Sequence, residues 1–241
     1  MSVKPNFGGK NIPFVYKGDR LIYPNPAKNG LLLWYDFNGM RNSDTNKDVA
    51  KDLSGNGNDG QLQNFNYTAE SGYNENKLLF DGADDYISTP KPSQPITGQF
   101  TWSAVITPYV DDKDMMLLSG SSTAHYIRIV KGVLAAAIPT ADVPVVYFSP
   151  ATKMIPNKTY LIHFMHDGDN VRIYANTEMV SEKQVGELPT ESFLQRIGIY
   201  RTTDYRAFDG EIHSVKIYNR PLTPEEIQHN YQIEKERFGI E

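Results

Sequence analysis

The chain has 241 residues, 39% of them hydrophobic and 22% charged, ordinary globular proportions that exclude a disordered chain and a fibre. With 24 Lys and Arg against 29 Asp and Glu, the formal net charge is −5, which argues against a surface built for nucleic-acid phosphates. Cysteine is absent, so disulfides, thiol catalysis and thiolate zinc sites fall away together.

In chain order, Met1 to Lys10 has no apolar run of the kind that marks a secretory signal. No stretch reaches the ~18 to 20 apolar residues of a membrane-crossing helix, so no membrane insertion is expected. Residues 1–29 read as an extended arm. Within it Ile12-Pro13-Phe14-Val15-Tyr16 and Leu21-Ile22-Tyr23 flank Lys17-Gly18-Asp19-Arg20 in the pattern of a short hairpin. Two such strands are marginal alone in water, and this predicts an arm that orders on another protein.

From Leu31 onward the pattern is strand after strand. Positions 100, 102, 104 and 106 are apolar (Phe100, Trp102, Ala104, Ile106) and Thr101 and Ser103 between them are polar, which turns one face to a core. Residues 159–166 and 171–176 flank Asp167-Gly168-Asp169-Asn170 as a hairpin. Further strands are predicted at 31–37, 77–80, 85–88, 116–119, 125–130, 133–138, 145–149, 195–200 and 211–218. One helix is predicted, with Thr223 as N-cap, Pro224 at the first helical position, and Glu225 and Glu226 at the positive end of the dipole. Its apolar stripe is Ile227, Tyr231 and Ile233. Many short strands without a βαβ rhythm predict an all-β antiparallel sandwich.

Four patches then occur in order: Gly30-Leu31-Leu32-Leu33-Trp34-Tyr35-Asp36-Phe37, Asp52-Leu53-Ser54-Gly55-Asn56-Gly57-Asn58-Asp59-Gly60, Leu79-Phe80-Asp81-Gly82-Ala83-Asp84-Asp85-Tyr86-Ile87, and the run from Phe208-Asp209-Gly210-Glu211-Ile212 to Ile227. In this order and spacing they resemble the laminin-G-like branch of the concanavalin A-like lectin/glucanase superfamily, over about residues 30 to 232. The resemblance implies an antiparallel jelly-roll β-sandwich. The expected organisation is an N-terminal arm over 1–29, a laminin-G-like domain over 30–232 and a tail over 233–241. Gly57, Gly60, Gly82 and Gly210 suit sharp turns, so these motifs read as builders of fold. A second resemblance lies in the arm: Pro5-Asn6-Phe7-Gly8-Gly9-Lys10-Asn11-Ile12-Pro13-Phe14 is similar to minor structural proteins of phages that infect Gram-positive bacteria.

Glucanases of the superfamily bring alternate carboxylates onto one strand face. Here Asp84-Asp85, Asp111-Asp112-x-Asp114 and Asp167-x-Asp169 fall in turns and Glu234-x-Glu236 in the helix, so no catalytic residue is assigned. His125, His163, His166, His213 and His229 are dispersed, and His163 and His166 point to opposite faces of a strand, against a shared metal. The superfamily raises structural calcium, with an acid on the last core strand. That position is His213, an imidazole that suits a hard cation poorly, although Asp36 offers an oxygen. No cofactor is expected. For sugar binding the candidates are exposed aromatics beside polar groups: Tyr109, Tyr147, and the cluster Tyr200, Arg201, Asp204, Tyr205 and Arg206.

The expected function is a non-enzymatic component of a phage virion (tail, baseplate or neck), assembled in the bacterial cytoplasm. The arm would dock on other virion proteins and the lectin-like domain would meet cell-surface polysaccharide. The alternative is a carbohydrate-binding or adhesion module of a bacterial surface protein; a glycoside hydrolase is a third reading, against which the carboxylate pattern speaks. Phe238-Gly239-Ile240 finds no place in the sandwich pattern, which predicts that the tail touches a neighbouring chain in a homo-oligomer or larger assembly.

Overall fold

The structure, a computed structural model, describes residues 6–7, 10–11, 15–17, 20–23, 25–92, 98–121, 125–140, 146–148, 152–188, 193–200 and 206–241. The arm contributes β1 (Asn6–Phe7) paired with β2 (Lys10–Asn11), and β3 (Val15–Lys17) paired with β4 (Arg20–Tyr23), each an isolated antiparallel ribbon. The second ribbon is the hairpin that the aromatic and branched residues around Gly18 predict.

The sandwich then follows in chain order as β5 (Leu31–Asp36), β6 (Val49–Ala50), β7 (Gly60–Gln63), β8 (Gly72–Asn74), β9 (Lys77–Asp81), β10 (Tyr86–Ser88), β11 (Phe100–Pro108) and β12 (Asp114–Gly120). It continues with β13 (Tyr126–Val130), β14 (Val133–Ile138), β15 (Val146–Phe148), β16 (Tyr160–His166), β17 (Asn170–Ala175), β18 (Glu178–Gln184), β19 (Leu194–Ile197) and β20 (Asp209–Tyr218), and closes with α1 (Pro224–Phe238). The first sheet runs β15-β14-β13-β12-β19-β10-β7-β6. The second runs β18-β17-β16-β11-β20-β9-β8, with β5 also paired to β20. All described pairings are antiparallel, which makes the domain an all-β antiparallel sandwich with one C-terminal helix.

Alternation decides which side chains meet between the sheets. Phe80, Phe100, Trp102, Phe164, Ile127, Leu134, Ile212 and Ile217 fill that layer. The predicted strands are all present, most within a residue or two, while the one expected over 195–200 ends three residues early, at Ile197. The two-residue β6, the Gln-rich β7 and the exposed β18 lack a hydrophobic alternation, and they pair because neighbouring strands offer free edges.

The Asp52-to-Gly60 motif is a latch onto β5. One carboxylate, Asp52, accepts from the backbone N–H groups of Trp34 (3.0 Å), Ser54 (2.9 Å) and Asn58 (2.9 Å). The Asn56 and Asn58 amides in turn donate to the carbonyls of Leu31 (2.9 Å) and Leu32 (2.8 Å). Gly210, expected at a turn, lies inside β20 at φ +149°, where a Cβ would sit 2.3 Å from the Thr107 carbonyl oxygen. Close strand approach, not a bend, requires glycine there.

The helix lies on the outer face of the second sheet. Thr223 and Glu226 form a reciprocal capping box, and Gly239 closes the helix in the left-handed conformation. Ile227 and Ile233 pack on Trp34, Met165 and Tyr218, and Ile240 on Val105 and Leu161. The tail expected to lack a place in the sandwich therefore has one in its own chain, because an amphipathic helix with a free sheet face beside it buries its stripe there. Asn25 and Ala27 are also tied to this helix: the Asn25 carbonyl lies 2.8 Å from His229 Nε2, and the Ala27 N–H donates to the Asn230 amide (2.9 Å). No described helix is long and apolar enough to cross a membrane.

Candidate functional site

The outer face of the first sheet is the part of the sandwich where aromatic and cationic side chains converge. A single register row crosses it: Arg196 on β19, Ser119 on β12, Tyr126 on β13, Ala137 on β14 and Tyr147 on β15. Residues opposite one another in a sheet point to the same side, and the alternate set, Ile127, Leu134 and Ala136, fills the core. The row therefore points outward. A second outward row carries Met116, Arg128 and Ala135. Ala137 separates Tyr126 from Tyr147, so two strand spacings, about 10 Å, lie between the tyrosines above a low alanine floor.

Tyr147 is 63% exposed, whereas Tyr126 is buried against Met116 and Ala137. The Tyr200 ring meets Tyr126 edge to face at 5.6 Å. The guanidinium of Arg206 lies over Tyr200 at 5.3 Å and that of Arg128 over Tyr126 at 5.4 Å. The Arg206 carbonyl accepts from the Met116 N–H at 2.8 Å, which ties this loop end to β12. Arg128 Nε is buried without a hydrogen-bond partner, and the same residue's Nη1 stands 3.7 Å from Asp114. Burial raises the Tyr126 hydroxyl above its ordinary pKa while Arg128 draws it down. The arrangement can stack a flat ring on Tyr147 and present guanidinium donors beside it.

The structure thus brings Tyr147, Tyr200 and Arg206 together and adds Tyr126 and Arg128. Those two were legible only as members of a strand, since register alone makes them neighbours of Tyr147. Arg201, Asp204 and Tyr205 lie outside the described residues. Tyr109 belongs elsewhere. It follows β11 in the second sheet, where its hydroxyl donates to Glu211 at 2.6 Å.

Glu211 is the centre of a separate polar group. It also accepts from Lys77 at 2.7 Å, and His213 Nε2 stands 3.4 Å away. Burial opposes the charge, but bonds from His213, Lys77 and Tyr109 outweigh it and hold the carboxyl at about 2. A carboxylate so held is a poor general acid, and the Lys77 ammonium already supplies its counter-ion. Nearby, His213 Nε2 lies 3.0 Å from Thr107 Oγ1 and its ring rests on Phe238, while Asp36 pairs with Arg237 at 2.6 Å. The residues at the calcium position implied by the resemblance therefore do not fit a calcium ion. His213 reaches this face because β20 carries a bulge between Ile212 and Ser214.

Among the described residues, Asp81, Asp84 and Asp85 have carboxylate oxygens within 4.8 Å of one another. Asp85 accepts from Ser71 Oγ (3.1 Å) and the Asp81 N–H (3.0 Å), and Asp81 from the Ala83 N–H (2.9 Å), so the group braces the β9–β10 turn. Of the histidines, His125 lies flat on Trp102 at 4.1 Å in the core, where burial lowers it to about 3. His163 and His166 occupy opposite faces of β16. His163 is close to Tyr174, and both ring nitrogens of His166 face carbonyls, those of Gly98 and Gly186.

Residues 81–228 match the family described as the concanavalin A-like lectin/glucanases superfamily. No curated protein sequence matches the chain significantly. Among solved structures, the receptor binding domain of botulinum neurotoxin C/D mosaic serotype superposes with a TM-score of 0.64 at 14% identity, over 86% of this chain and 52% of that one. The botulinum neurotoxin serotype D ligand binding domain in complex with N-acetylneuraminic acid gives 0.62 at 15%, over 85% and 51%. Trypanosoma rangeli sialidase in complex with sialic acid gives 0.62 at 15%, over 86% and 33%. The chain spans about half the length of the neurotoxin chains and a third of the sialidase; at these identities the likeness is one of fold.

Proposed function

The chain belongs to the concanavalin A-like lectin/glucanase superfamily, and from that premise we propose that it is a non-enzymatic carbohydrate-binding domain whose site is the outer face of the first sheet. The observation that carries this reading is Tyr147, an exposed ring beside an alanine floor, with Tyr126, Tyr200, Arg128 and Arg206 around it. Sugar sites combine such a platform with a few fixed polar donors. Two of the solved folds that it resembles, a neurotoxin binding domain and a sialidase, were determined with sialic acids. The non-enzymatic part is supported by Glu211, whose carboxylate is fully engaged. Titration calorimetry against a glycan panel tests the reading: binding is expected to weaken at least tenfold in Tyr147→Ala, and full affinity in that variant overturns the site.

We further propose that the domain is a minor structural component of a phage virion whose sugar target is host cell-wall polysaccharide, with residues 1–29 docking on other virion proteins. The wording of residues 5–14 supports this, as do the two two-stranded arm ribbons, since a lone hairpin is marginal in water. Mass spectrometry of purified particles, with a cryo-EM map, is expected to find the chain in the tail, baseplate or neck. Its absence from every particle overturns the placement.

A further inference from the structure

We infer that the saccharide recognised on this face carries an anionic group, a carboxylate or a phosphate, held by Arg128 together with Arg206. The inference rests on the carbohydrate-binding reading above and narrows it to a ligand class.

The charge distribution is the first argument. The chain as a whole has a net charge of −5, yet among the described residues Arg128, Arg196 and Arg206 stand around the tyrosines of this one face, with Asp114 beside Arg128. A neutral sugar presents hydroxyls that both donate and accept, and is normally met by mixed amide and carboxylate partners. Guanidinium groups only donate, in a planar fork that matches the two oxygens of a carboxylate or phosphate.

The second argument is the state of Arg128. Its Nε is buried and unpartnered, and its Nη1 stands 3.7 Å from Asp114, beyond the reach of a normal hydrogen bond. Asp114 thus lowers the cost of holding the cation in a half-buried place without occupying its donors. Guanidinium donors without a close acceptor are uncommon in proteins, and an anion reaching the exposed part of the Arg128 group, 20% of its side chain, supplies one.

The third argument is geometry. Arg128 lies over the Tyr126 ring and Arg206 over the Tyr200 ring, and those rings touch edge to face. Each guanidinium thus rests on one ring of the same edge-to-face tyrosine pair, while Tyr147 stands one alanine away from Tyr126 on the same row. A sugar ring seated on Tyr147 would direct an exocyclic or ring-borne anion toward the Tyr126 side of the row, where these guanidinium groups stand. Because the arginines are partly covered, salt screens the contact less than it screens an open surface pair.

The test uses the full chain and matched probes: oligogalacturonate against its methyl ester for the carboxylate, and a phosphomannan against the mannan left after dephosphorylation for the phosphate. Polyglutamate serves as an anion without sugar. The expected result is that the acidic member of one pair binds at least tenfold tighter than its neutral counterpart, which also identifies the anion. Arg128→Gln should bring that ratio close to one, whereas Tyr147→Ala should weaken both members alike. Arg206→Gln is the second variant, and circular dichroism verifies that each is folded. Equal binding of acidic and neutral members, unaffected by either arginine substitution, overturns the anionic inference and leaves the carbohydrate reading standing. Polyglutamate binding as tightly as the acidic sugars also overturns it. Failure of every saccharide to bind overturns both.

Discussion

Lys216 on β20 and Glu234 on α1 form an ion pair sealed between sheet and helix, their side chains 2% and 1% exposed. Arg237 extends it, donating to Asp36 on β5 at 2.6 Å and to Glu234 at 3.2 Å. Lys216 and Arg237 thus face Glu234 and Asp36 under the helix, where burial raises the Asp36 carboxyl and Arg237 draws it back down. Burial opposes ionisation of Glu234, yet Lys216 and Arg237 keep its carboxyl below the ordinary range.

Breaking a buried pair leaves a charge without compensation. Glu234→Ala should therefore destabilise the domain by about 3 to 5 kcal/mol, and removal of residues 232–241 should lower the melting temperature sharply. Thermal and denaturant melts of both variants provide the check. A truncated chain that melts like the full one would show that the tail is not bound as described.

Trp102 is fully buried between the sheets, in contact with Phe100, Phe164 and His125. Trp102→Ala should cost about 3 to 5 kcal/mol through lost burial and the cavity left behind. Tyr147→Ala removes a largely exposed ring and should stay within about 0.5 kcal/mol. Urea melts that reverse this order would invert the assignment of inner and outer faces.

Gly210→Ala should destabilise by at least about 1 to 3 kcal/mol from its backbone conformation alone. The added methyl group also meets the Thr107 carbonyl oxygen, which belongs to the paired strand and cannot swing aside. A variant as stable as the parent would mean that β20 and β11 separate more readily than their register implies.

Acid should unfold the domain partly through Glu211. Its folded-state carboxyl titrates at about 2, below the 4.5 of a free glutamate. The resulting stabilisation is complete above about pH 4.5 and is lost as pH falls toward 2. Asp85 acts in the opposite sense: burial raises it from 3.8 to about 6, so it favours the fold more as pH falls across that interval. Equilibrium melts from pH 7 to pH 2 should show Glu211→Gln less stable than the parent at neutrality, with a shallower loss below pH 4.5. Parallel acid profiles for the two would remove Glu211 from this role.

Much of this protein was legible in its residues alone. The alternation around Trp102, the turn at Gly168 between β16 and β17, and the signals at Thr223 and Pro224 are local, and local sterics and hydrogen bonding suffice to make them strands, a hairpin and a helix start. Tyr147, Tyr200 and Arg206 were also identifiable as candidate sugar contacts, Tyr147 in a predicted strand and the other two in a cluster of aromatic and charged side chains.

Their partners were decided only by the tertiary structure. Tyr126 and Arg128 look like ordinary strand residues until antiparallel register sets them in rows with Ala137 and Ala135. Lys216, Asp36, Glu234 and Arg237 carry charges that local pattern assigns to solvent, and only the seat of α1 on the second sheet removes them from it. The physical reason is range. Periodicity and capping act over a few residues, whereas Lys216–Glu234 and Asp36–Arg237 join positions 18 and 201 residues apart and meet only when α1 seats on the second sheet.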